Sequence, residues 1–99
     1  MNLTDKQKEI ITDAGKFGFD AKKIALLIDL EEIEVIEALQ DSNTDIFNCY
    51  QKGKAEFLLE ACRQLEIKAN AGDRQAVKEL IKVTNEIKSR QLKNELFGI

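Results

Sequence analysis

The side chains that could do chemistry in this chain are carboxylates, lysines and two thiols; histidine is absent. A Ser–His or Cys–His nucleophile therefore cannot form, and the commonest general base at neutral pH is missing. Cys49 and Cys62 stand 13 positions apart. With no histidine beside them they complete no zinc pattern, and two cysteines make no disulfide framework, so both read as reduced thiols in or near a core. The pairs Glu31-Glu32 and Glu34-Glu37 could hold a metal or act as acid and base. No Gly-rich phosphate loop or cleft-forming pattern accompanies them, so the expectation is no catalysis, no cofactor and no metal.

The cations offer a different chemistry, contact with phosphate. Lys6, Lys8, Lys16, Lys22 and Lys23 fall in the first quarter of the chain. Lys22 and Lys23 open a helix, where free backbone N–H groups can also meet a phosphate, so Lys16, Lys22 and Lys23 are the candidate DNA contacts. A second set, Lys78, Lys82, Lys88, Arg90 and Lys93, is interspersed with glutamates and reads as a solvated helix face whose potential would add up only in an oligomer. The net charge of −3 is uneven: residues 1–20 carry three lysines against four acids, residues 21–41 two against six, and residues 42–99 ten bases against eight acids. No overall basic character advertises nucleic acid.

These groups must be positioned by helices. Hydrophobic residues at 43% suffice for a core, and 33% charged residues with no proline or tryptophan point to a water-soluble helical protein. At 99 residues there is room for one ordinary domain, or a very small one with a helical appendage. The apolar run Ile24 to Ile28 falls far short of the roughly 20 residues that cross a bilayer, and Met1 to Lys6 has no signal-peptide core, so a cytoplasmic chain is expected.

Thr4 and Gln7 form a capping box that opens helix one, Asp5 to about Ala14, with Gly15 and Gly18 in the connector around Phe17 and Phe19. Asp20 caps helix two, Ala21 to about Ile28. Asp29 stands where a turn glycine is usual and caps helix three, on which Ile33, Val35, Ile36 and Leu39 form the apolar stripe. Three helices with so tight a second turn describe a trihelical helix-turn-helix over residues 1–42. Thr44 caps a helix of about 27 residues that runs to Gly72, with Phe47, Tyr50, Leu58, Ala61, Leu65 and Ala69 on one face. Gly53 within it either admits another backbone or marks a bend. Gly72-Asp73 turns the chain into a last helix with the matching stripe Ala76, Leu80, Val83 and Ile87, giving a long antiparallel helical hairpin over 44–90. Ile46, Cys49, Gly53, Ile67 and Ala71 lie off the main seam. A long helix that is apolar on more than one side suggests a homo-oligomer, with Phe47, Tyr50, Leu58, Leu65, Leu80 and Ile87 as interface candidates. The stripe fails beyond Ile87, leaving 91–99 as a tail whose Leu96, Phe97 and Ile99 either fold back or dock on a partner.

The outward face of helix three tests the DNA reading. If Val35, Ile36 and Leu39 point inward, Glu34, Glu37 and Asp41 point outward, with Glu31 and Ala38 alongside. Those carboxylates would be repelled by the phosphates that flank a major groove, so base readout through this helix is disfavoured.

The segment Lys16 to Leu39 (KFGFDAKKIALLIDLEEIEVIEAL), with Tyr50-Gln-Lys-Gly53 and Ala69-Asn-Ala-Gly-Asp-Arg-Gln-Ala76, resembles phage small terminase subunits and related phage-encoded helix-turn-helix proteins. The resemblance spans roughly residues 3 to 88. It implies a DNA-packaging recognition subunit in a bacterial host cell: residues 1–42 the helix-turn-helix domain, 44–90 a hairpin that assembles into a ring, and 91–99 a segment that engages the terminase large subunit. The expected function is a non-catalytic, DNA-binding, homo-oligomeric adaptor for viral DNA packaging. The rival is a protein interaction module in which helix three binds a basic surface, and a third reading is a small transcriptional regulator.

Overall fold

A computed structural model describes residues 3–97. The described chain is all-helical, with five helices and no strand: α1 (Asp5–Phe17), α2 (Ala21–Ile28), α3 (Glu32–Leu39), α4 (Asp45–Asn70) and α5 (Arg74–Phe97). No helix among these residues is long and apolar enough to cross a membrane. The chain divides into two compact units, Met1–Leu58 and Leu59–Ile99.

In the first unit the helix starts are set by local hydrogen bonds. The Gln7 N–H donates to the Thr4 hydroxyl at 3.1 Å and the Thr4 N–H to the Gln7 side chain at 2.9 Å, a complete capping box. Helix α1 continues past Ala14 to Phe17 and ends at Gly18 in the left-handed region (φ 70°). Gly15 is thus inside the helix rather than in the connector, because its missing Cβ is what lets the Tyr50 backbone carbonyl of α4 approach. Gly53 does the same from the other side, against the Thr12 carbonyl of α1. The two glycines bring the backbones of α1 and α4 into direct contact, and no side chain larger than hydrogen fits at either.

Asp29 does not cap α3. It closes α2 instead, in the left-handed region (φ 57°), with its own N–H and that of Leu30 both directed to the Ala25 carbonyl. Aspartate tolerates this conformation better than most residues, which is how the turn manages without glycine. Glu31 is the N-cap of α3 and makes no side-chain cap hydrogen bond. Val35 and Ala38 are buried while Ile33 is 59% exposed, so the face turned to the core runs through Val35 and Ala38. Ala38 therefore belongs to the core rather than the outward face, and Ile33 the reverse.

The core of this unit consists of Ile11, Ala14, Ile24, Ala25, Ile28, Val35, Ala38 and Ile46, with Phe19, Leu30, Leu39, Cys49 and Tyr50 partly buried against it. Gln7 Nε2 donates to the Ile28 carbonyl (3.3 Å) and the Tyr50 hydroxyl to the Phe19 carbonyl (2.9 Å), tying helix ends together. Ile46 and Gly53, which the sequence places off the main seam of α4, face this core.

Helix α2 begins with the Asp20 carboxylate accepting from the Lys23 N–H at 2.9 Å, and that hydrogen bond, with the Lys23 charge, lowers the Asp20 pKa. A carboxylate depressed in the folded state stabilises it fully above the unfolded pKa and loses that contribution as pH falls through the folded value. Asp20→Ala is therefore expected to lower the thermal midpoint at pH 7 and to converge with wild type in acid, once the pH has fallen through the lowered pKa of the native cap and protonated it. Melting curves of both proteins across that range measure it.

In the second unit the end of α4 and the start of α5 are joined through Gly72 (φ 96°), and the Asp73 carboxylate accepts from the Gln75 and Ala76 N–H groups. The half-buried positions are Ala61, Cys62, Leu65 and Ala69 on α4 and Leu80, Val83 and Thr84 on α5; Ala76 is buried. Ile87 is exposed at the edge of this stripe. Helix α5 does not stop near Ile87 but runs to Phe97, because 88–97 contains neither glycine nor proline and is rich in good helix formers. The side chains of 91–99, and with them Leu96, Phe97 and Ile99, lie outside the described residues.

Candidate functional site

The three lysines singled out for phosphate contact do not share one environment. Lys16, in the last turn of α1, lies 3.3 Å from Glu56 of α4 and 3.7 Å from Asp13, so its charge is compensated within the unit. Lys23 lies 3.7 Å from Asp20. Lys22 is exposed and has no carboxylate within 4 Å among the described residues. Lys22 and Lys23 stay together in the first turn of α2, while Lys16 is held by an ion pair that a phosphate would have to displace.

The candidate interface residues are also divided. Phe47 and Tyr50 are half-buried in the first unit, and Lys54 Nζ lies 5.0 Å from the centre of the Tyr50 ring. Leu58 is exposed at the end of that unit. Leu65 and Leu80 lie half-buried in the second unit, and Ile87 is exposed there. The six residues are thus shared between the two units.

The surfaces left open are different ones. On α2 and α3, Leu26, Leu27 and Ile33 are exposed, and the stretch that follows α2 carries Asp29, Glu31, Glu32, Glu34, Glu37, Asp41 and Asp45 with no lysine or arginine between Lys23 and Lys52. None of these seven carboxylates is within 4 Å of a cation among the described residues. On α5, Val77 and Ile81 are exposed one turn apart, with Arg74, Lys78 and Lys88 round the same side and likewise without an ion pair. The α5 surface was legible as the i, i+4 pair Val77 and Ile81, one position out of phase with the stripe Ala76 and Leu80.

Among the described residues no three His, Cys, Asp or Glu side chains gather as a metal site, and no charged or polar residue is buried. A shallow cleft of about 200 Å³ lies between Leu3, Ala38 and the first turn of α4, below the range usual for small-molecule pockets. Compared with known protein families, curated proteins and solved structures, the chain matches none.

Proposed function

We propose that this chain is a non-catalytic adaptor that works by self-assembly and binding, of the kind its resemblance to phage small terminase subunits implies. In this reading α1–α3 act as a helix-turn-helix domain and α4–α5 as an antiparallel hairpin. The protein is cytoplasmic in a bacterial host and joins duplex DNA to the terminase large subunit, the C-terminal residues Leu96, Phe97 and Ile99 serving the latter contact. The observation that carries it is the exposed first turn of α2, where Lys22 stands without an ion pair beside Lys23, the Asp20 carboxylate capping the Lys23 N–H. Backbone contact through these lysines needs no base readout, which suits the acidic outward face of α3.

Fluorescence anisotropy with duplex DNA at low and moderate salt, with light-scattering mass on the same sample, tests the reading. Affinity should fall by about 0.9 log units per log unit of salt for each phosphate neutralised. Lys22→Glu with Lys23→Glu should weaken binding and reduce that slope by about two, with the circular dichroism of the wild type retained. Unchanged affinity in the double variant removes these lysines from the contact, and no binding at low salt removes DNA.

The second reading, a protein interaction module built on a helix-turn-helix scaffold, is favoured by the exposed Leu26, Leu27 and Ile33 together with seven carboxylates between Asp29 and Asp45 that have no cation within 4 Å among the described residues. It predicts no duplex affinity at any salt concentration.

A further inference from the structure

Two exposed apolar faces on this chain are ringed by unpaired charge of opposite sign. On α3, Ile33 (59% exposed) shares the outward side with Glu34, Glu37 and Asp41. On α5, Val77 and Ile81 (39% and 55% exposed) share theirs with Arg74, Lys78 and Lys88. At 100° per residue Arg74, Lys78 and Lys88 fall within about 60° of Ile81, and Glu79 on the far side. Although Glu86 lines the groove beside Ile81 and Asp73 precedes Val77 by one turn, the bases, with Lys82 and Arg90 in that groove, leave the patch basic on balance. The imbalance extends to the two units: residues 1–58 carry twelve acids against seven bases, and residues 59–99 eight bases against six acids. Exposed charges without a local partner are where long-range attraction between molecules acts.

We infer that the outward face of α5 docks on the outward face of α3 in a second copy of this chain, joining copies head to tail. The apolar centres, Val77 and Ile81 on one side and Ile33 on the other, exclude water. The basic rim then meets the acidic rim, which sets orientation and rejects the reversed pairing of α3 on α3 or α5 on α5. Because the two docking faces differ, each added copy exposes a fresh pair, and the contact builds a closed ring or an open filament rather than a two-fold dimer. This inference rests on the reading of the chain as a self-assembling adaptor but not on its contact with DNA, so assembly mass and duplex affinity can fail separately.

The test uses two charge-reversal variants of the full chain, Glu34→Lys with Glu37→Lys, and Lys78→Glu with Lys88→Glu. Each is studied alone and in equimolar mixture, by light scattering over a concentration series, with circular dichroism on every sample. Wild type should rise with concentration above the 11.2 kDa of one chain, and less so at high salt. Each variant alone should stay at one chain. The mixture should assemble again with alternating copies, because the reversed α3 of one fits the reversed α5 of the other and the two unaltered faces fit each other as in wild type. If circular dichroism shows a reversed variant unfolded, Ile81→Asp takes its place and should also remain a single chain. A wild type that stays monomeric, variants that assemble as wild type does, a mixture that forms no complex, or an Ile81→Asp protein that still assembles overturns the inference. So does a monomeric wild type whose duplex affinity is lost with Lys78→Glu and Lys88→Glu, which would assign the α5 face to phosphate.

Discussion

Gly53→Ala is expected to destabilise the first unit by at least about 2 kcal/mol, lowering the thermal midpoint by about 10 °C. The sign is the informative part. In an ordinary helix interior the same change is favourable by about 1 kcal/mol, since alanine is the best helix former and glycine among the worst. Here the added methyl group meets the Thr12 carbonyl of α1, and backbone cannot rotate away as the end of a flexible side chain could. Either the helices separate, withdrawing Ile11, Ala14 and Ile46 from one another, or the α1 hydrogen-bond ladder distorts. Gly15→Ala should act in the same direction through the Tyr50 carbonyl. Thermal and urea unfolding followed by far-ultraviolet circular dichroism measure both. A Gly53→Ala protein as stable as wild type would mean that α1 and α4 do not cross at this distance.

What the sequence made legible here is what short-range chemistry decides. The capping box at Thr4 and Gln7, the Asp20 and Asp73 caps and the Gly72 turn each depend on side chains within three residues of the backbone groups they satisfy, and each is where spacing places it. Thr44 is the same, its hydroxyl accepting from the Phe47 N–H at 3.1 Å. The facing of the long helix was not legible in the same way. Helix α4 carries apolar residues on several sides, and only the presence of α1 decides that Ile46 and Gly53 are buried while Phe57 is 55% exposed. Gly15 reads as part of the connector, and Gly53 as either the close approach of another backbone or a bend. Their role becomes visible only once α1 and α4 are known to cross. For the candidate site, the lysines of α2 and the acids of α3 were identifiable by charge alone, but the compensation of Lys16 by Glu56 spans 40 positions and no local pattern announces it.

The run Ile24-Ala-Leu-Leu-Ile28 looks uniformly apolar, and the fold divides it. Ile24, fully buried, should lose about 2–5 kcal/mol on conversion to alanine through lost transfer free energy and the cavity left behind, a large share of what a domain this small possesses. Leu26, 72% exposed two positions later, should cost within about 0.5 kcal/mol on conversion to serine. Chemical denaturation of the two variants beside wild type measures the difference, and equal losses would show that α2 presents another face to the core. The contrast also separates scaffold from surface. Ile24→Ala should remove every function of the first unit together, because Lys22, Lys23 and the acidic face of α3 all depend on α2 holding its place. Leu26→Ser leaves the fold and both charged sets intact, so any binding it abolishes is binding through the exposed apolar side of α2. At 72% exposure Leu26 adds little to the stability of the monomer, so a loss of binding in Leu26→Ser with the fold retained would assign that side of α2 to a partner.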